Sequence, residues 1–482
     1  MTTNPTLDRP PSGAVAESLD RCGFTRAQFR VLILILAGMF FDTLEQNSIG
    51  AMGANLKLAL GLSDTRLTVI NTATVLGGLV GRLLGGWLAD RYGRRTSLSL
   101  NLLLYTLGGL ISAAAVNYEM LLASRFVVGI GLGGEFTIGI AMLSEMVATR
   151  QRGALVAVLN IGSGGVGNFL SYGLFFLLLG PLGPSLGGDR EVWRWTFLVL
   201  AAPALLVVLY RRRLPETPRF LLSKGRVDEA NRSLAILASD SLMLPSGRPP
   251  SGPLTAADIP PRQLDCSPSA VFARAVLPRT LALGAASWMA FGAQVTLNFL
   301  MPTLLVERGY SISQSLLFTM VMNVGSLLGA CAAALLAGRV GRRGAVGGAG
   351  ALGCLTAVAF AVFGHTTALI LVLGALFQFF TMITNTTLAV WSPELYPTAI
   401  RGSGTSIVNG IGNIAGAVMP FLAVALFARS GLAGVFGMVA VMYALLVVAS
   451  RFAPETRART LEQINEDPAP TGYLGSDPAP VA

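Results

Sequence analysis

The chain has 482 residues, of which 53% are hydrophobic and only 12% charged, and its mean hydropathy is +0.63. Soluble domains carry about a quarter charged residues, so this composition excludes an ordinary soluble protein. Apolar runs of about 20 residues recur, each able to cross roughly 30 Å of hydrocarbon, which excludes a β-barrel of short alternating segments; the net charge of +10 does not point to nucleic acid, because the basic residues flank the apolar runs.

Residues 1–28 are polar, with Pro and Arg, and no cleavable signal follows them. They read as an unstructured cytoplasmic tail. Twelve spans follow, near 29–51, 66–89, 97–116, 119–143, 153–179, 195–212, 279–301, 314–337, 345–363, 367–392, 402–427 and 432–452. The fold class is therefore an all-α membrane protein with 12 transmembrane helices in two pseudo-symmetric six-helix bundles, 29–212 and 279–453. A central cytoplasmic loop, 213–278, joins them, and a tail, 454–482, ends the chain. The loop holds one amphipathic stretch, Arg226–Ala238, then a Pro-, Ser- and Gly-rich linker. With both termini inside, 27 of the 35 Lys and Arg fall on the cytoplasmic side and 6 outside, leaving Arg82 and Arg125 within spans. The excess sets the orientation: a multi-pass protein of the cell inner membrane with both termini cytoplasmic. Cys22, Cys266, Cys331 and Cys354 have no metal spacing; no metal or cofactor is expected, and no helix carries a catalytic constellation, so the chain does not read as an enzyme.

The loop after the second span, Gly86–Arg95 (GWLADRYGRR), has a degraded copy, Ala334–Arg343 (ALLAGRVGRR), 248 residues on. Glu145 with Arg152 and Glu394 with Arg401 repeat at an offset of 249, and Pro215-Glu216-Thr217 repeats as Pro454-Glu455-Thr456 at 239. Three matches in one order point to a duplicated six-span unit. Asp90, Arg91, Arg94, Arg95, Glu145, Arg152, Arg339, Arg342, Arg343, Glu394 and Arg401 are placed to latch two bundles at the cytoplasmic end, through helix termini and ion pairs. Gly86 and Gly93 would let backbones approach. The plainer reading is that these charges only anchor loops to headgroups.

Charges inside a bilayer cost roughly 2.5–3.5 kcal/mol each on insertion scales and mark function by default. The first span carries Asp42, Glu45 and Gln46 on one helix face; the fourth carries Arg125 and Glu135. Asp42 reads as a proton site and Arg125 as its switchable partner, unless the two form a permanent structural pair. Glu45, Gln46 and Glu135, with the midplane amides Asn160, Asn168, Gln294, Asn298, Asn323 and Asn385, are candidates to touch a substrate, although each amide could merely bond a neighbouring helix. Arg82 would snorkel or join the latch. Gly129, Gly131, Gly133 and Gly134 read as a close-packing face; with no strand before them they are not a nucleotide loop.

The GxxxDRxGRR loop, its degraded copy and the 6+6 layout resemble the major facilitator superfamily over nearly the whole chain. SRFVVGIGLGGEF (124–136), SEMVATRQRG (144–153), PETPRFLLSKGR (215–226), PELYPTAIRG (393–402) and PETRARTLEQI (454–464) resemble its branch of sugar porters, aromatic-acid:proton symporters, nicotinate transporters and organic-ion transporters. FFDT (40–43) with Arg125 is similar to the proton-coupling pair of sugar:proton symporters. Two sugar-porter marks are missing: Ala293 precedes Gln294 where paired glutamines are usual, and Ala389 replaces a tryptophan, with Trp391 two positions off. The resemblance implies a secondary active transporter using alternating access, acting as a monomer on a small-molecule substrate and protons in a lipid bilayer. Symport of a small organic acid, aromatic or nicotinate-like, is the leading reading. A sugar:proton symporter and a proton-coupled exporter of drugs or organic cations stay open.

Overall fold

The computed structural model describes residues 13–201, 214–239, 254–258, 271–274, 276–337, 339–396 and 400–456. In chain order the helices are α1 Gly13–Cys22, α2 Arg26–Ala51, α3 Gly53–Leu60, α4 Asp64–Tyr92, α5 Arg94–Ala113, α6 Tyr118–Met146, α7 Arg152–Asn160, α8 Asn168–Leu179 and α9 Val192–Leu200. Then come α10 Pro218–Ser223, α11 Val227–Leu237, α12 Leu277–Glu307, α13 Ile312–Leu336, α14 Arg342–Phe363, α15 Thr367–Glu394 and α16 Arg401–Phe452. A π-helical segment, Ile161–Gly167, joins α7 to α8 as one span. Within α16 the backbone leaves helical geometry at Gly431 (φ 60°), so that range is two spans. Ten ranges are long and apolar enough to cross a membrane; the break at Gly431 makes eleven spans and α9 begins the twelfth, whose remainder lies outside the described residues.

The span starts follow from side-chain caps. Thr25 and Ser311 each form a capping box with a glutamine three residues on, while Ser63, Asn117 and Thr366 accept from the N–H of the third residue of their helices. We call the side bearing α1, α11 and the loops at 91–95 and 339–343 the basic side, and the opposite one the far side. Spans alternate between them.

Close packing in the first bundle comes from glycine. A Cβ on Gly77 or Gly81 of α4 would stand 2.3 or 2.1 Å from the Phe126 or Ile130 carbonyl oxygen of α6, and one on Gly133 would meet Gly78 O at 2.0 Å. Gly131 instead faces α5, against the backbones of Asn101 and Tyr105. The glycine face is thus a packing device on two sides of α6. Gly86 departs from the expectation: nothing lies within 4 Å of its Cβ position, and Gly85, against Gly134, makes the contact instead. Gly133→Ala should cost about 1–3 kcal/mol by overpacking, read as a lower melting temperature in detergent, whereas Gly86→Ala should leave it unchanged or raised.

The expectation of an unstructured tail over 1–28 fails from residue 13 onward. Val15, Ser18 and Leu19 are buried on one face of α1, and α11 buries Ala230, Ser233, Leu234 and Leu237 in the same cluster. Helical spacing of small and apolar residues lets α1 dock where a polar composition alone suggests a free tail. Thr25 Oγ1 donates to Leu237 O at 2.6 Å, tying α2 to α11. The linker over 241–269 falls outside the described residues except for 254–258, where Asn231 holds Leu254 at both its N–H and C=O.

Candidate functional site

The buried charges of the first bundle pair differently from the sequence expectation. Arg125, fully buried, puts Nη1 2.8 Å from Glu45 Oε2; its Nη2 lies 3.3 Å from both Glu45 O and Ser48 Oγ. The Phe197 ring lies 5.3 Å below the guanidinium. Asp42 does not meet Arg125. Gln46 Nε2 donates to Asp42 Oδ2 at 3.1 Å, Asp42 Oδ1 is buried without a hydrogen-bond partner, and the cation acting on Asp42 is Arg82. Helix rise supplies the reason. At 1.5 Å per residue Glu45 stands roughly 28 Å and Asp42 roughly 24 Å from the basic end of α2, while Arg125 lies roughly 32 Å up α6 from its basic end. Glu45 is a turn closer to Arg125, and Arg82, in the basic half of α4, acts on the lower acid through space without an ion pair. Glu135 is also buried, at 1% exposure.

The candidate amides divide into two groups. Asn168 accepts from Asn47 Nδ2 (2.9 Å), which also reaches Ser171; Gln378 donates to Asn298 (2.7 Å); Asn385 donates to Gln294 (2.9 Å). Tyr172 of the first bundle donates to the Asn298 carbonyl of the second at 2.6 Å, so one polar contact crosses the bundle interface beside these pairs. Asn323 instead is spent inside its own helix, donating to Thr319 O and accepting from Ser326, and Asn160 turns back to Val156 O. In a helix facing apolar neighbours an amide satisfies itself on the preceding turn, which removes these two from the candidate contacts in this conformation. Asn47, Tyr172 and Gln378 were missed; each has the polar-in-span character that flagged the others. Trp391 is fully buried and bonded to Pro454 O, away from these pairs.

At the basic side the two repeated clusters are near copies. Arg94 bridges Asp90 (3.1 Å) and Glu145 (3.2 Å), and Thr217 Oγ1 donates to Glu145 at 2.6 Å. Arg342 pairs with Glu394 at 3.1 Å, and Thr456 Oγ1 donates to Glu394 at 2.5 Å. Glu216 accepts from the N–H groups of Arg94 and Arg95 at the start of α5, and Glu455 from those of Arg342 and Arg343 at the start of α14. These carboxylates sit where the helix dipole favours an anion. A side chain on Gly93 (φ 99°) or Gly341 would strike them at 2.2 or 2.3 Å, which is why both positions are glycine. Burial lifts the Glu216 carboxyl above the usual carboxylate range, against the N–H groups of Thr217, Arg95 and Arg94.

Every one of these contacts stays within its own bundle, so in this state the charged clusters brace each half rather than latch the two together. The Pro-Glu-Thr segment follows the last span of its half and reaches back to the loop and the fourth span of that same half. Arg91 lies over Trp87 and Tyr92, Arg95 Nη1 reaches Leu214 O, Arg152 feels Arg219, Asp20 and Glu145, and Arg339 is exposed; the Arg401 side chain is outside the described residues.

The bundles are joined on the far side. Lys57 Nζ bridges Asp64 (2.6 Å) in the first bundle and Glu307 (2.7 Å) in the second, Thr72 donates to Ala417 O (2.9 Å), and Gly50 and Gly53 press on Phe299 and Thr303. Burial opposes the Lys57 charge, but the two carboxylates outweigh it and hold the ammonium above the usual lysine range. Among the described residues no side-chain hydrogen bond or ion pair joins the bundles near the basic side. Where the bundles touch at mid-depth, the π segment carries Gly162, Gly164, Gly165 and Gly167 against Leu36, Met382, Leu327 and Thr43; such bulges mark functional sites. Lys57→Gln should release the far side. A partly exposed pair is worth up to about 1 kcal/mol, about fivefold in an equilibrium, read as faster labelling of Thr303→Cys from that side.

Comparison with known proteins places these features in context. A family model described as sugar (and other) transporter matches residues 31–467. The niacin transporter NiaP of Acinetobacter baylyi is 28% identical over 442 residues, covering 90% of this chain and 96% of the relative. The putative metabolite transport protein YdjK of Escherichia coli is 26% identical, covering 96% and 98%. Among solved structures, the proton:xylose symporter XylE bound to 6-bromo-6-deoxy-D-glucose superposes with a TM-score of 0.71 at 20% identity, covering 91% of this chain and 98% of that one. The inward open conformation of XylE from E. coli gives 0.72 at 18%, covering 91% and 99%.

Proposed function

We propose a function from the premise that this chain belongs to the sugar (and other) transporter family of the major facilitator superfamily: it is a secondary transporter, and its reaction is symport of a proton with a small organic acid of the aromatic or nicotinate-like kind. The basic side is cytoplasmic, so the structure is a state closed to the outside. The supporting observation is Asp42, a carboxylate buried at mid-span with one oxygen unpartnered and Arg82 as its countercharge. A proton taken by Asp42 neutralises it and leaves the Arg82 guanidinium to receive the substrate's carboxylate, so proton and monoanion bind together. Arg125, held by Glu45, is not the switchable partner in this scheme but a fixed strut beside it.

The amides Gln294, Asn298, Gln378 and Asn385, with Asn47, Asn168 and Tyr172, supply donors and acceptors for the ring and its substituents. Glu45, Gln46 and Glu135 border the same space. The Arg94 and Arg342 clusters keep each bundle rigid at the cytoplasmic end while the bundles rock. Alternating access of this kind is rigid-body movement about a central site. The niacin transporter among the relatives supports an acid, and the absent tandem glutamine at Ala293 argues against a sugar.

The test is uptake of labelled nicotinate and benzoate into proteoliposomes with the outside made acid. Accumulation above equilibrium that collapses with a protonophore is the expected result. Xylose accumulation, or extrusion of lipophilic cations, with no response to either acid would overturn the reading.

A further inference from the structure

The internal repeat offers a comparison within one molecule. In the first copy, Arg91 lies 5.5 Å from the Trp87 ring centre and 5.7 Å from that of Tyr92, and the two rings pack edge to face at 6.2 Å. The cation and two aromatic rings cover the basic end of α4. At the same offset of 248, the second copy has Arg339 for Arg91, Leu335 for Trp87 and Val340 for Tyr92. Both rings are gone. This copy has a cavity of about 520 Å³ between the basic ends of α13, α14 and α15, walled by Leu335, Leu352, Phe379, Phe380 and Ile383, with Arg339 at its rim.

The walls are apolar, and Leu335 and Leu352 are exposed at 65% and 48%, so the groove opens outward to the hydrocarbon rather than inward to the bundle interface. Its size lies within the roughly 300–1,000 Å³ of small-molecule sites. Its rim is electropositive. Arg339 has no ion pair among the described residues, and Gly338 stands where the first copy has Asp90, so this rim lacks the acid that Arg94 engages in the other copy. A groove open to hydrocarbon offers room for a lipid chain, and a guanidinium without an ion pair at its rim favours an anionic headgroup.

We propose that the α13–α14–α15 groove is a binding site for one acyl chain of an anionic glycerophospholipid, whose phosphate is held by Arg339. The site stands apart from the substrate path, and it lies in the copy where Leu335 and Val340 stand for Trp87 and Tyr92.

The experiment is native mass spectrometry of the purified protein after incorporation into nanodiscs of phosphatidylcholine and phosphatidylglycerol. The wild type should retain phosphatidylglycerol in preference. Arg339→Gln should lower that preference about fivefold, the equivalent of about 1 kcal/mol for one basic residue at the membrane surface. The pair Leu335→Trp with Val340→Tyr, which rebuilds the aromatic cover of the first copy, should reduce retention of either lipid. Arg91→Gln, in the covered copy, should leave retention as in the wild type. Wild-type phosphatidylglycerol retention in both Arg339→Gln and the aromatic pair would overturn the proposal, as would an equal loss in Arg91→Gln. Both lipid and protein are mixed without sidedness, so the outcome is independent of membrane orientation and of substrate.

Discussion

Glu45→Gln is expected to destabilise the protein by roughly 3–5 kcal/mol, the cost of leaving one charge of a buried pair without its partner. Arg125 has no exposed surface and Glu45 1%, so the guanidinium left behind can reach neither water nor another carboxylate. Its remaining contacts, the Ser48 hydroxyl, the Glu45 backbone oxygen and the face of Phe197, do not neutralise it. Arg125→Leu should cost as much by stranding the acid. Replacing both, Glu45→Leu with Arg125→Leu, should restore most of the loss, since apolar residues of similar size in place of a buried pair are often neutral or better. The cycle is read as melting temperature and monodisperse yield in detergent, and the coupling is the departure from additivity. Singles that melt within a degree of the wild type would mean the pair carries no such role. A double variant that also transports would show the pair to be a permanent strut; one that folds but fails to transport would show that the pair serves the cycle beyond holding the fold.

The frame of this molecule was readable because membrane insertion leaves few options: each apolar run must be a helix, and the positive residues sort to one side. The duplication was readable in Gly86–Arg95 and Ala334–Arg343, and the third repeated motif, Pro-Glu-Thr, took on meaning only in space, where Glu216 and Glu455 seat on the first N–H groups of α5 and α14. What the sequence could not give was relative depth. Asp42 and Glu45 lie on one helix face three residues apart, and either could face Arg125 until the offset between α2 and α6 is known. The same limit hid Arg82, which looked like an interfacial residue by its place along the span. The intra-bundle character of the latches was hidden for a related reason: a charge pattern says what a residue can pair with, but not which of two symmetric halves supplies the partner. The amides show a third limit. Asn323 and Asn298 are equally polar residues in apolar runs, and only the choice between the preceding turn and a neighbouring helix separates a self-satisfied amide from one that bonds another span.

Asp42→Asn tests the coupling itself, and its expected effect is the largest on function. The amide has the shape of a protonated carboxyl and still offers an oxygen to Gln46 Nε2, so the fold should hold and the site should behave as if always loaded. Without a titrating group, an imposed pH gradient has no purchase on the carrier. For one proton per substrate, each pH unit is worth about 1.4 kcal/mol, or a tenfold accumulation ratio. That ratio should fall to one in the variant, while exchange of external for internal substrate, which needs no net proton movement, should persist. Asp42→Glu should keep accumulation. Arg82→Gln should behave differently from Asp42→Asn: removing the cation that receives the substrate's carboxylate raises KM and suppresses exchange and net uptake together. The contrast separates a proton site from its countercharge, because a merely structural acid at position 42 would make both variants fail alike. Full gradient-driven accumulation in Asp42→Asn would discard the assignment and shift the search to Glu135, the other buried acid of the first bundle that Arg125 does not hold.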